Sequence, residues 1–293
     1  MNGACGVALG SPHPWPAPAK LNLFLHIVGR RPDGYHRLQT AFQLIDWCDE
    51  LRFYQRPPGV IERIAGPLEV AAEADLVVRA ARLLAAQTGE CPGVAIELRK
   101  RIPMQGGLGG GSSDAATVLV ALNSLWQAHL PLDELTSLGL KLGADVPVFV
   151  RGRSAWGEGI GEQLVDCDFP EALFLVVQPQ VAVSTAEIFQ APELTRNSPV
   201  MTIRAFLAGG GHNDCTPTVR RRYPEVAEAL DWLQHFADAR LTGTGACVFA
   251  AFDKEEAAQR VLAQLPARWR GFAARGTNRS PLLERLALEQ ARA

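Results

Sequence analysis

Residues 103–116 read PMQGGLGGGSSDAA, with five glycines (Gly106, Gly107, Gly109, Gly110 and Gly111) inside six positions. Without Cβ atoms, successive backbone N–H groups can converge on an anion, and a helix starting there adds its partial positive charge. Glycine clusters also occur in flexible linkers. This one lies between a strand pattern, Val94 to Arg99, and a strongly apolar helix pattern, Asp114 to Trp126, which argues for a phosphate cradle. Ser112 and Ser113 stand where hydroxyls can cap the helix and reach a phosphate or magnesium ion. The chain has no Gly-Lys dipeptide, so this is not a Walker loop. The dinucleotide spacing G-x-G-x-x-G also fails, because the third position is Ser112 counted from Gly107 and Asp114 counted from Gly109.

Working outward toward the N-terminus, Lys20 to Val28 alternates in period two, with Leu21, Leu23, Leu25 and Ile27 on one face and Lys20, Asn22, Phe24 and His26 on the other. The turn Arg30 to Tyr35 contains Pro-Asp-Gly, and a second strand is expected over His36 to Leu44. Met1 to Pro18 carries four prolines and no basic segment, and reads as a loose tail with no signal peptide. A helix is expected over Asp75 to Thr88, stopped by Gly89. Beyond the glycine stretch, Pro131 to Leu142 is an amphipathic helix, and short strands are expected at Pro147 to Val150 and Leu164 to Cys167. Near residue 168 the pattern restarts. Strands are expected at Leu173 to Val177, Ala246 to Phe252 and Arg270 to Arg275, with helices from Thr185 and over Thr202 to Leu207, Pro224 to Phe236 and Glu255 to Leu265. The fold class is α+β in two domains, 1–168 and 169–293.

At 293 residues, 47% hydrophobic and 20% charged, the chain has the composition of a globular protein with a buried core. A formal net charge of −2 gives no basic field for nucleic acid. The longest apolar runs, Leu173 to Val177 and Val146 to Val150, are too short to cross a bilayer. Six scattered cysteines without a C-x-x-C pair read as reduced thiols, with no support for a zinc site. A cytoplasmic protein acting on a small molecule, with neither nucleic acid nor membrane as partner, is expected. Only four lysines occur (Lys20, Lys100, Lys141 and Lys254), so one inside a motif carries more weight than usual.

Three separated segments resemble the GHMP kinases, the superfamily of galactokinase, homoserine kinase and mevalonate kinase. They are PAKLNLFL (Pro18 to Leu25), the glycine stretch, and LTGTGACVFA (Leu241 to Ala250). PAKLNLFLHIVGRRPDGYHRLQT and LGADVPVF further resemble the branch whose acceptor is a cytidine-diphosphate-linked methylerythritol, and the likeness runs from about Pro16 to Leu282. The resemblance implies a two-domain GHMP fold with the active site in the interdomain cleft. It implies ATP with Mg²⁺ as cofactor and phosphorylation of the acceptor's 2-hydroxyl, in non-mevalonate isoprenoid synthesis. It implies catalytic roles for Lys20 and Asp145, and ATP binding by Pro103, Met104, Gln105, Gly106, Gly107, Leu108, Gly109, Gly110, Gly111, Ser112 and Ser113. Cytosine recognition falls to Tyr35 and His36, and Asn22, Ile160 and Phe189 line the acceptor pocket. Three residues depart from the pattern. Gln105 replaces a frequent glycine and stiffens the start of the loop. Asp114 replaces an asparagine or similar residue and adds negative charge near the phosphates, and Asp75 occupies a position often asparagine on the adenine side. No metal ligand set is assigned.

Each role has a plainer alternative. Asp145 follows a helix and precedes Val146-Pro147, so it is either a carboxylate aimed by rigid backbone or a loop residue making an Asx turn. Lys20 is either a strand-end lysine or a cation that keeps Asp145 ionised and stabilises the attacking oxygen. Tyr35 can stack on a pyrimidine and His36 can read its edge, or the pair is structural. Phe189 reads as core by pattern alone. Leu241 to Ala250 is small and glycine-rich and is taken as structural support for close backbone approach. Rival functions are another GHMP kinase, which gives no reason for Asp33-Gly-Tyr-His36, and a non-catalytic nucleotide-binding sensor, against which the presence of both Lys20 and Asp145 argues.

Overall fold

A computed structural model describes residues 7–292. Along the first half run β1 (Trp15–Arg30), β2 (His36–Gln55), β3 (Ile61–Ala65), α1 (Leu76–Thr88), β4 (Val94–Arg99), α2 (Gly110–Leu125), α3 (Leu132–Leu142), α4 (Val146–Arg151), β5 (Ala155–Glu158) and β6 (Gln163–Asp166). The second half has β7 (Leu173–Gln178), α5 (Thr185–Gln190), α6 (Ile203–Leu207), α7 (Thr216–Arg222), α8 (Pro224–Gln234), β8 (Arg240–Leu241), β9 (Val248–Phe252), α9 (Glu255–Leu262), β10 (Arg270–Thr277) and α10 (Pro281–Gln290).

The Pro-Asp-Gly turn folds β1 back on β2 as a long antiparallel hairpin, from Arg30 opposite His36 to Trp15 opposite Leu51. Strand order β3-β4-β2-β10-β7-β9-β8 makes one continuous sheet. The join is β10. Its Arg270 to Arg275 pair with β7, while Gly276 and Thr277 reach Ile45 and Leu44 of β2. The first core packs Leu44, Leu51 and Ile96 of the sheet against Val78 and Leu84 of α1 and Leu119 of α2; Leu282 of α10 returns to the same cluster. The second core joins Leu175 and Val248 to Val219 and Leu230. Between them a third cluster unites Leu21, Ile45 and Leu108 with Val176 and Phe249. Each such fully buried side chain contributes about 1.5–3 kcal/mol. Leu108 thereby anchors the glycine stretch to the seam between the halves.

Three expectations are corrected. Trp15 to Pro18 is not tail: β1 starts at Trp15, which is buried, and edge pairing to β2 alone tolerates Pro16 and Pro18. Residues 1–6 of that stretch, with Cys5, lie outside the described residues. Pro147 to Val150 is not a strand but the body of α4, because a run buried on every side has no period to read. Pro147 sits in the first turn of α4, where its missing N–H costs nothing. Helix α2 begins at Gly110, four residues before Asp114, so the last glycines are its first turn. Helix α7, which opens on a Thr-Pro pair, and strands β3 and β5 carried no reading at all. Among the described residues the five cysteines are free thiols, and no helix is long and apolar enough to cross a membrane.

Candidate active site

A cleft of about 690 Å³ runs between the halves, lined by the glycine stretch, Lys20, Asn22 and Asp145 from the first and by Thr185, Phe189, Gly243 and Thr244 from the second. Its floor is built on the polar face of β1. Lys20 is 3% exposed, and a buried ammonium needs acceptors. It donates to the Gly107 carbonyl at 3.0 Å and to Asn22 Oδ1, and its Nζ lies 3.4 Å from Asp145 Oδ2. Asn22 is held in turn, donating from Nδ2 to Thr40 Oγ1 at 2.8 Å, while Thr40 donates to the Phe24 carbonyl at 2.6 Å. Asp145 is the residue before α4, yet its side chain makes no capping hydrogen bond. The plain role of an Asx or capping carboxylate is therefore not the one it fills. Its carboxylate, 35% exposed, stands at the cleft beside Lys20.

Above this pair lies the N-terminus of α2. No side chain caps it, so the N–H groups of its first turn are left for an outside acceptor. Gly107 (φ +75°) and Gly109 (φ +72°) take left-handed backbone conformations that bring the loop against both halves. A Cβ on Gly109 would lie 2.8 Å from the Phe149 ring, and one on Gly107 would collide with the Thr242 carbonyl. Gln105 adopts φ +54° where glycine would sit without strain. Within residues 103–113 all but Ser113 line the cleft; Ser113 points inward with an unpaired hydroxyl, correcting the expectation that it faces phosphate.

Leu25, Leu38, Ile160 and Phe189 give the cleft an apolar wall. His36 is half-buried and stacks on Phe189 with ring centroids 5.2 Å apart. Tyr35 is 62% exposed and lies outside the cleft lining. The structure thus brings Lys20, Asn22, Asp145, Ile160, Phe189 and the glycine stretch into one cleft, sets His36 against its wall, and leaves Tyr35 apart.

Two family models match this chain, GHMP kinases N terminal domain over residues 75–153 and GHMP kinases C terminal over residues 192–271. It is 57% identical over 270 residues to the 4-diphosphocytidyl-2-C-methyl-D-erythritol kinase of Nitrosococcus oceani, covering 92% of this chain and 96% of that one. The protein of the same name from Alkalilimnicola ehrlichii is 59% identical over 276 residues, covering 94% and 95%. The chain belongs to the 4-diphosphocytidyl-2-C-methyl-D-erythritol kinase family of GHMP kinases. A crystal structure of 4-(cytidine 5'-diphospho)-2C-methyl-D-erythritol kinase superposes with a TM-score of 0.77 at 34% identity, covering 89% of this chain and 98% of that one. A mevalonate kinase structure at 17% identity and a TM-score of 0.68 shares the fold, covering 90% and 99%. The two-domain GHMP α+β fold and an ATP-dependent small-molecule kinase are what this family membership establishes.

In this member of the GHMP kinases, Asp114 and Asp75, the two acidic departures expected from the sequence, are both neutralised locally. Asp114 is 2% exposed and sits 2.6 Å from the Lys100 ammonium, which also pairs with buried Asp49. Burial pushes the Asp114 carboxyl well above its usual range, against the pull of Lys100. Burial alone would lower Lys100, but the two carboxylates outweigh it and hold its pKa up. The expected extra negative charge near the phosphates is therefore largely cancelled. Asp75 caps α1 by accepting from the Val77 amide at 3.1 Å and pairs with Arg63. Sequence reading missed Thr242, which accepts from the Asn22 amide at 3.0 Å and donates to the Gly107 carbonyl at 3.1 Å. The Leu-Thr-Gly-Thr-Gly pattern at 241–245 was the available signal, and reading it as structural support alone undervalued its threonines.

Proposed function

We propose that this chain transfers the γ-phosphoryl group of ATP to the 2-hydroxyl of 4-diphosphocytidyl-2-C-methyl-D-erythritol, giving the 2-phosphate, in non-mevalonate isoprenoid synthesis in the cytoplasm. The observation that carries the reading is one continuous cleft with a Lys20–Asp145 pair between an uncapped glycine-rich helix start and the His36–Phe189 stack. The N–H groups of Gly110, Gly111 and Ser112 bind the nucleotide phosphates. Asp145 orients the acceptor hydroxyl and takes its proton as the new O–P bond forms. The bond from the γ-phosphorus to the bridging oxygen breaks, and its electron pair leaves on ADP. Lys20 stabilises charge on the attacking oxygen and the transferring group. A loose transition state needs little base strength, so orientation is the larger part of the work of Asp145.

Mg²⁺ belongs to the proposal as an ion carried on the nucleotide. Among the described residues no group of three or more His, Cys, Asp or Glu could hold a metal by itself, and Asp114 is engaged by Lys100. Mg²⁺ keeps several waters and takes one or two protein oxygens, and the Ser112 hydroxyl at the cleft fits that need. There it would neutralise charge across the β- and γ-phosphates. No nucleic-acid or membrane surface is required.

The test is ADP release with the cytidine-diphosphate-linked acceptor beside mevalonate, homoserine and galactose. Turnover with the first and none of the others is expected; preference for any of the others would replace the reading. His36→Ala should raise the KM for the acceptor about 10- to 100-fold, the worth of a polar contact left unpaired, and leave the KM for ATP near its wild-type value. Equal rises in both would make His36 structural.

A further inference from the structure

Arg196, in the segment after α5, spends all five of its N–H donors inside the protein. Nη1 and Nη2 donate to the carbonyls of Phe189 (3.1 Å), Ala191 (2.6 Å), Pro192 (3.5 Å) and Leu194 (2.9 Å), around the C-terminal end of α5. The remaining Nε–H donates to Nε2 of His36 at 3.0 Å. A guanidinium does not give up its protons in a protein, so this N–H is an obligatory donor. His36 Nε2 must then present its lone pair. A neutral imidazole with a lone pair on Nε2 carries its hydrogen on Nδ1. Protonated His36 would set N–H against N–H. Among the described residues no protein atom takes the Nδ1 hydrogen, so the ring keeps one N–H free to donate.

We propose that Arg196 is a positioning residue that locks His36 in its neutral Nδ1–H form, and that this lock makes the acceptor end of the cleft select cytosine over uracil. The inference rests on the acceptor reading above. Cytosine offers acceptors at both N3 and O2, whereas uracil carries N–H at N3. O2 accepts in both bases, so the device works at N3, where a fixed donor suits cytosine and meets another donor on uracil. A histidine free to exchange tautomers could turn either character outward and would discriminate poorly. The charges around the ring act in the same direction: burial, then Arg196 and Arg30, hold the His36 pKa below its usual value. Phe189 ties the device to the cleft, since its ring lines the wall, its carbonyl is held by Arg196, and His36 stacks on it.

The experiment combines ¹⁵N NMR of the imidazole nitrogens in the full-length protein with kcat/KM for the cytidine- and uridine-diphosphate-linked acceptors. Wild type should show an unprotonated Nε2 and a protonated Nδ1 at His36, staying neutral below the usual histidine range, and prefer the cytidine acceptor about 10- to 100-fold. Arg196→Met should lose the fixed tautomer, raise the pKa of His36, raise the cytidine-acceptor KM about tenfold and shrink the preference, with the KM for ATP unchanged. Arg196→Lys, a folded control with one compact ammonium, cannot serve His36 and the α5 carbonyls together and should fall between. A protonated Nε2 in wild type overturns the proposal even if no variant folds, as does an Arg196→Met protein with wild-type tautomer and preference. Wild type that shows the lock but phosphorylates neither acceptor would defeat the acceptor reading and, with it, the selectivity, while leaving the tautomer assignment standing.

Discussion

Asp145→Asn is expected to lower kcat by about 10²–10⁴-fold, the usual worth of a positioned proton acceptor. The substitution keeps size and most hydrogen-bonding geometry but removes the negative charge beside Lys20, whose Nζ lies 3.4 Å away. Because the side chain caps nothing, folding loses no helix cap, and the melting temperature should change little. Lys20→Met should cost turnover comparably. It also strips a donor from the Gly107 carbonyl and from Asn22, so some loss of stability accompanies it. If the two groups act as a unit, the double variant should be hardly slower than either single one. The opposite pattern, a lowered melting temperature for Asp145→Asn with more than about a third of wild-type kcat per folded molecule, far above that loss, would remove Asp145 from the chemistry.

Gly107→Ala should be the most damaging substitution in the glycine stretch. Its φ of +75° is strained for alanine, at a cost of about 1–3 kcal/mol, and its Cβ would strike the Thr242 carbonyl. The Gly107 carbonyl is also the shared acceptor of Lys20 and Thr242. The loop must therefore move, and we expect a lower melting temperature together with ATP affinity reduced about 100-fold or more, the equivalent of roughly 3 kcal/mol. Gly111→Ala separates the two effects. A Cβ there meets only Leu76 Cδ1 at 3.6 Å, an ordinary contact, yet Gly111 faces the cleft. It should keep its stability and still lose affinity for a non-hydrolysable ATP analogue in calorimetry. Unchanged affinity in both folded variants would mean that phosphate binds elsewhere.

Legibility in the sequence followed the physics of each element. β1 and β2 were readable from period-two alternation and a Pro-Asp-Gly turn, and α1 from its run of good helix formers closed by Gly89. The run Val146 to Val150 was not, because total burial erases periodicity, so α4 read as a strand. Trp15 was lost behind prolines that an edge strand absorbs. In the site, the glycine stretch was legible from its own pattern, whereas Lys20 and Asp145 were singled out only by resemblance to the GHMP kinases. Ser113 was misplaced because helix α2 starts earlier than its apolar residues do, which rotates that hydroxyl inward. The roles of Lys100 and Arg196 depend on partners 51 and 160 residues away, Asp49 and His36, and no local pattern encodes such pairs.

The central claim is phosphoryl transfer to a particular oxygen, and that oxygen has a spectroscopic mark. Carbon 2 of the methylerythritol unit carries the methyl group, so its hydroxyl is tertiary and has no hydrogen on the adjoining carbon. Incubating the protein with MgATP and the cytidine-diphosphate-linked acceptor, and recording the ³¹P spectrum with proton coupling, reads the position directly. The account predicts one new phosphomonoester resonance, uncoupled to any carbinol proton, growing in step with ADP. A phosphomonoester split by neighbouring protons would place the phosphate on another hydroxyl, and ADP with inorganic phosphate alone would contradict transfer altogether.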